Sequence, residues 1–133
     1  MDLATLTGAI MIALGSEFAG LYATTDELAK HLLNSARAEG EGLWRMPLSE
    51  EYDRMIDSPA ADMKNISGGR EAGSPVGAHF VKRFVVDKTP WAHLDIAGMA
   101  WSKKPRGTVP AGATGYGVRT LNRFVADYCE EKE

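Results

Sequence analysis

The order of apolar and polar positions divides the 133 residues into short strands that alternate with amphipathic helices. Leu3-Ala4-Thr5-Leu6 suits a buried strand, and Thr7-Gly8 separates it from a second apolar run, Ala9 to Leu14. Leu21 to Ala23 fits another short strand. "TTDELAKHLLNSARAEG" predicts a helix with both ends marked. Thr24 and Glu27 have capping-box spacing, Asp26 and Glu27 suit the positive end of the helix dipole, and Gly40 suits the stop. Its apolar stripe is Leu28, Leu32 and Ser35/Ala36. "LWRMPL" alternates sides, with Pro47 marking an edge or a connector. Ser49 predicts the cap of a short helix with Tyr52, Met55 and Ile56 on one face, ended by Asp57-Ser58-Pro59.

Residues 60–73 read as loop. Ser74-Pro75 predicts the next helix start, a cap followed by proline at the first helical position, with Val76, Phe80, Val81 and Phe84 as the buried stripe. "WAHLDIAG" is the clearest strand: Ala92, Leu94 and Ile96 share one face, and Trp91, His93, Asp95 and Ala97 share the other. A Gly/Pro-rich loop from Ser102 to Gly115 leads to a last helix from about Tyr116 to Tyr128, with Val118, Leu121, Phe124/Val125 and Tyr128 inward. Such alternation predicts an α/β layered fold with helices on a mixed, largely parallel sheet. The three or four strands visible are few for such a sheet, so an incomplete one is expected. A chain of this length buries about two-thirds of its unfolded surface, enough for one domain with a real core.

Composition narrows the class. Hydrophobic residues make up 44% and charged residues 25%, with a net charge of −3 at pH 7. That is a soluble globular balance, without the clustered basic excess of a general nucleic-acid surface. Lys103, Lys104 and Arg106 sit in the Pro/Gly-rich loop and read as solvated. The single cysteine, Cys129, excludes an internal disulfide and suits a reducing compartment. No signal peptide is visible, and the run Ala9–Leu14 is far short of the roughly 20 residues of a membrane span. A soluble, cytoplasmic protein without a membrane or nucleic-acid partner is expected.

The residue chemistry is sparse. "SGGREAGS" lacks the Gly-Lys-Ser/Thr ending of a phosphate cradle and reads as a connector. His31, His79 and His93 show no paired metal-ligand spacing. His93 and Asp95 share a strand face, an arrangement open to a metal, to a base with its orienter, or to a hydrogen-bonded polar pair packed under Trp91. No Gly-x-Ser-x-Gly elbow occurs, and the Thr5 and Thr7 hydroxyls have no adjacent base. No complete active site follows from the residues alone.

"DLATLTGAIMIALG", "LWRMPLSEEY" with "ADMKNI", "WAHLDIAGMAW" and "ATGYGVRTL" resemble, in order and spacing, the C-terminal part of the catalytic domain of the leucyl aminopeptidase (cytosol aminopeptidase) family. The likeness covers nearly the whole chain. It implies a zinc-exopeptidase-like α/β/α domain of a metallo-aminopeptidase that removes N-terminal residues, often leucine, from peptides. Family members use two divalent metal ions, zinc or manganese, with a bridging water, and assemble as hexamers around an interior cavity.

The family's metal ligands and catalytic residues lie upstream of the opening strand, in a Lys/Asp-bearing region and an Asn-Thr-Asp-Ala-Glu-Gly-Arg motif. Neither occurs in this sequence. The resemblance therefore implies that residues 1–133 form the second half of a catalytic domain, with no catalytic residue, no metal ligand and no activity of their own. What it assigns to them is pocket wall. Backbone groups of Leu6 and Gly8 would hold the substrate main chain, and Thr5 and Gly8 would line the side-chain pocket. Ala97 and Ala100 would form the opposite wall, with Ile66 on the leaving-group side. Position 100 holds a larger residue in some relatives, so Ala100 would leave a roomier pocket. Two readings stand beside this one: a stand-alone, non-catalytic assembly or interaction module of the same fold, and a minimal one-metal hydrolase using His93, Asp95 and Asp62.

Overall fold

In a computed structural model that describes residues 1–107 and 109–130, four strands form one sheet. They are β1 (Asp2–Ala4), β2 (Ala19–Ala23), β3 (Leu43–Arg45) and β4 (Ala92–Asp95), in the order β1-β4-β2-β3. β1 runs parallel to β4 and β3 parallel to β2, whereas β2 and β4 are antiparallel. The sheet is thus mixed and largely parallel. Every residue of β2 and of β4 is buried, the mark of central strands covered on both faces.

Alternation along the central strands creates the two layers. Ala19, Leu21 and Ala23 of β2, with Ala92 and Leu94 of β4, point into an apolar core against α2 (Asp26–Ala38) and Phe124 of α5 (Val118–Tyr128). On the opposite face lie α1 (Gly8–Leu14) and α4 (Gly73–Lys82), with the short α3 (Glu50–Arg54) packed beside α4. A two-stranded ribbon, β5 (Trp101–Ser102) with β6 (Gly112–Ala113), carries the Lys103–Arg106 segment. Arg106 is not free in solvent: its guanidinium binds the Ser16 carbonyl at 3.0 Å and the Glu17 carboxylate at 2.6 Å.

Several expected boundaries move. The opening strand ends at Ala4, and the run after Thr7-Gly8 is a helix capped by the Thr7 hydroxyl, which accepts from the Ile10 N–H. α2 is capped by Thr25 rather than Thr24, and Gly40 follows its end with φ of 66°. α4 starts at Gly73, and its buried face is Ser74, Pro75, Val76, Ala78 and His79. Small residues let this helix lie close to α1, a β-carbon at position 73 standing 2.9 Å from that of Ala9. Of the expected stripe Val76 is buried, whereas Phe84, beyond the helix end, is 70% exposed. In α5 the buried side chains are Thr120 and Phe124; Val118 and Val125 are exposed, and Tyr128, although partly exposed, stacks on His31 of α2 with ring centroids 3.8 Å apart.

The α3–α4 junction is held by Arg83. Its guanidinium grips both carboxylate oxygens of Asp53 at 2.9 Å and reaches Asp57 at 2.7 Å. Arg83 thereby holds the Asp53 carboxyl below its ordinary pKa. His79 is buried beside this pair, with its Nδ1 3.5 Å from Asp53 and neither ring nitrogen hydrogen-bonded. Burial lowers the His79 pKa; the Lys82 and Arg83 charges act the same way, and Asp53 opposes them. Below about pH 6.5 the unfolded chain takes up the His79 proton before the folded chain does. Stability should therefore be intact above that pH and fall as the pH drops below it. Urea midpoints at pH 7.5 and 5.5 check this, and His79→Leu should flatten the difference.

Candidate functional site

β1 and β4 are adjacent and parallel, with Ala4 in register with Asp95. Their carboxyl ends therefore release two segments side by side, Thr5–Gly8 and Ile96–Ala100. In layered α/β folds, ligands bind outside the carboxyl ends of parallel strands. The Ile96 N–H continues the ladder to the Ala4 carbonyl at 2.9 Å, so the two segments part only beyond that point.

One side chain ties them together. Asp95 is fully buried, and its carboxylate collects five donors. Oδ1 accepts from the N–H groups of Leu6 at 3.2 Å, Thr7 at 3.4 Å and Ala97 at 3.4 Å. Oδ2 accepts from the hydroxyls of Thr7 at 2.6 Å and Ser74 at 2.9 Å. Ser74 in turn accepts from the Tyr22 hydroxyl at 2.8 Å. Burial drives the Tyr22 phenol far above its ordinary pKa despite that bond, so it stays a neutral donor. A buried carboxylate with no cation beside it is sustained by such hydrogen bonds.

Glycines at two close approaches complete the frame. A β-carbon at position 77 would stand 2.9 Å from Thr7 Cγ2 and 3.1 Å from Leu6 Cδ2, so α4 rests directly on the Leu6–Thr7 turn. One at position 98 would stand 2.1 Å from the Gly15 carbonyl oxygen, so the segment after β4 lies against the end of α1. Thr114, from the "ATGYGVRTL" stretch, closes the far side: its hydroxyl donates to the Met99 carbonyl at 2.6 Å and its N–H to the Ala100 carbonyl at 3.1 Å.

Among the residues singled out by sequence, Thr5 and Gly8 are exposed, and Leu6, Ala97 and Ala100 are half-buried. Leu6 and Ala97 meet at Asp95. Ile66 is 72% exposed in the loop between α3 and α4, with no contact to the core cluster. His93 and Asp95 do share a face, but they serve different partners. His93 Nδ1 lies 2.5 Å from Asp2 Oδ1, and Trp91 Nε1 donates to Asp2 Oδ2 at 2.8 Å. The His93 ring stacks between Trp91 and Tyr22. The expected His93–Asp95 hydrogen-bonded pair is therefore not formed: the histidine's partner is Asp2. The residues alone mark Asp95 only beside His93 and do not mark Ser74 and Tyr22 as part of its network, because Ser74 lies 21 residues from Asp95 and Tyr22 lies 52 from Ser74.

The donors at this strand end do not make a metal centre. The Asp95 and Asp2 carboxylates are already engaged, and among the described residues no group of three His, Cys, Asp or Glu side chains could hold an ion. Asp62 is exposed in the loop after α3 and joins neither. Two surface grooves, of about 710 and 550 Å³, lie elsewhere, along Arg45–Leu48 and between α3 and α4. Among the described residues no helix is long and apolar enough to cross a membrane.

Comparison with known proteins is consistent across methods. The pattern of the cytosol aminopeptidase family, catalytic domain, matches residues 1–122. A probable cytosol aminopeptidase of Caulobacter vibrioides is 58% identical over 132 residues, 98% of this chain and 26% of the relative. One of Rickettsia canadensis is 55% identical over 129 residues, again 26% of its length. Among solved structures, a tomato leucine aminopeptidase mutant superposes with a TM-score of 0.85 at 48% identity, over 93% of this chain and 23% of that one. A bottromycin maturation enzyme in complex with Mn gives 0.92 at 38% identity, over 97% and 28%. The chain spans about a quarter of the length of the curated relatives it matches.

Proposed function

The chain belongs to the cytosol aminopeptidase family, and on that premise we propose that it supplies the substrate-pocket walls of a metal-dependent aminopeptidase acting on peptides with N-terminal leucine. Leu6 and Gly8 hold the substrate main chain through their backbone groups. Thr5 and Gly8 border the side-chain pocket, Ala97 and Ala100 face them, and Ile66 lies toward the leaving group. The observation that carries this reading is the pairing of Thr5–Gly8 with Ile96–Ala100 at the carboxyl ends of two parallel strands, locked by one buried carboxylate.

The residues described here do not fit the two-ion centre of such enzymes, so the ions, zinc or manganese, are held by other parts of the whole enzyme. Two-metal hydrolysis needs several free carboxylates converging on ions about 3.5–4 Å apart. This chain binds and orients substrate, and the activation of water that such ions would supply belongs to the rest of the enzyme. Residues 1–133 alone accordingly neither bind metal stoichiometrically nor turn over substrate. The whole enzyme works in the cytoplasm as a homo-oligomer, a hexamer by family resemblance. Exposed apolar side chains such as Ile12 (90%) and Val86 (79%) support further contacts of this kind.

The test is a hybrid: the Caulobacter vibrioides relative with its matching quarter replaced by this chain. Manganese- or zinc-dependent hydrolysis of leucine amide is expected from the hybrid and none from the 133-residue chain. An inactive but folded hybrid would sink the proposal, as would turnover by the chain alone. In an active hybrid, Ala100→Met should narrow the pocket and lower kcat/KM for leucine amide about tenfold relative to alanine amide.

A further inference from the structure

We infer that Asp95 is a positioning residue that aims the backbone carbonyl of Leu6 at the scissile amide N–H of the substrate. This rests on the pocket reading above and adds a residue that the reading does not include. The argument starts from peptide geometry. A trans peptide unit carries its N–H and its C=O on opposite sides, and no described peptide bond is cis. Asp95 Oδ1 draws the N–H groups of both Leu6 and Thr7 toward the protein interior. The carbonyls of Thr5 and Leu6 must then point the other way, out of the fold at the end of β1.

Among the described residues, no side chain donates a hydrogen bond to either carbonyl. Among the described residues, neither accepts a backbone hydrogen bond outside the regular elements. The Thr7 carbonyl, one residue on, already belongs to the capped start of α1. The turn is also held stiffly. Thr7 gives Asp95 both its N–H and its hydroxyl, and α4 presses on the Leu6 and Thr7 side chains at Gly77. The same Oδ1 holds the Ala97 N–H, so one oxygen fixes the spacing between the two pocket walls. An acceptor fixed before substrate arrives loses no freedom on binding, which is the condition for strong orientation.

The partner that fits a fixed, outward main-chain carbonyl is an N–H donor, and an ester offers an oxygen with no hydrogen where the amide offers that N–H. Each variant is read by the change it makes in the amide-to-ester ratio rather than by the ratio itself. Leucine amide and a leucine ester are therefore the probes, compared in the active hybrid. Asp95→Ala should lower kcat/KM for the amide about tenfold more than for the ester, the worth of one well-placed hydrogen bond. Asp95→Asn, which keeps a weaker acceptor for the backbone N–H groups, should leave the amide-to-ester ratio between that of Asp95→Ala and that of the unsubstituted hybrid. A merely structural aspartate would depress both substrates equally. An unchanged ratio in a folded Asp95→Ala hybrid overturns the inference while leaving the pocket reading intact. A second measurement, on the 133-residue chain, needs no activity. A neutral amide oxygen holds three N–H groups less strongly, so in Asp95→Asn the Leu6, Thr7 and Ala97 amides should exchange at least about tenfold faster. Leu21 and Leu94 should not change. Equal exchange at all five would overturn the positioning role even if Asp95→Ala failed to fold or the hybrid proved inactive.

Discussion

Replacing Glu41 by alanine should lower the unfolding free energy by about 3 kcal/mol, read as a drop in the urea midpoint at unchanged slope. Glu41 lies in the connection between α2 and β3, yet its side chain serves α5. It is buried, and its carboxylate accepts from the N–H groups of Gly117 at 3.1 Å and Thr120 at 3.0 Å and from the Thr120 hydroxyl at 2.6 Å. A helix start leaves several N–H groups without partners, and α5 has no capping side chain of its own. Losing a cap costs about 1 kcal/mol, and leaving buried donors unpaired adds about 1–3 kcal/mol. The negative charge at a helix N-terminus contributes further. Glu41→Gln keeps one acceptor and should cost only about 1 kcal/mol. A Glu41→Ala chain as stable as the parent would mean that α5 is held by its packing, through Phe124 and the stack of Tyr128 on His31, and not by this cap.

The same residue marks where legibility in the sequence stops. Elements whose signals are local could be read. The alternation of Ala92, Leu94 and Ile96 announced the central strand, and Thr25 through Ala38 carried caps and stripe close to where they are found. The family motifs then identified the family, because several long patterns in fixed order are more specific than any periodicity. α1 was hidden because Ala9–Leu14 is apolar all round, with Ile12 and Met11 left exposed by the fold. β2 was read short because Ala19 and Gly20 present almost no side chain. The buried face of α4 misled for a physical reason: small residues, not the aromatic ones, make the close approach to α1. Glu41 looks like an ordinary surface acid in sequence, and Asp95 is marked there only by the strand face it shares with His93. Their donors lie 76 to 79 and 2 to 89 residues away, and no local pattern encodes such pairings.

A pair of glycine substitutions separates frame from function. Gly98→Ala should cost about 3 kcal/mol, the upper end for overpacking, because the new β-carbon meets a backbone carbonyl rather than a side chain that can turn aside. The Gly15 carbonyl must retreat, or Ile96–Ala100 must lift off α1, and either shift moves Ala97 and Ala100 relative to Leu6. Misplacement of about 1 Å is enough to cost up to 10²-fold in rate, so an active hybrid carrying this change should lose at least about tenfold in kcat/KM. Gly8→Ala is the converse. No atom lies within 4 Å of the added β-carbon, and Gly8 opens α1, where alanine is the better helix former. Its stability should be equal or slightly higher. Yet, if Gly8 borders the substrate as proposed, the methyl group would occupy the space of the substrate main chain, and kcat/KM should fall about tenfold. Gly8→Ala with full activity would remove Gly8 from the pocket, because loss of folding could not be blamed. Loss of activity in both variants, with loss of stability only in Gly98→Ala, is the pattern that a substrate wall built on these two segments requires.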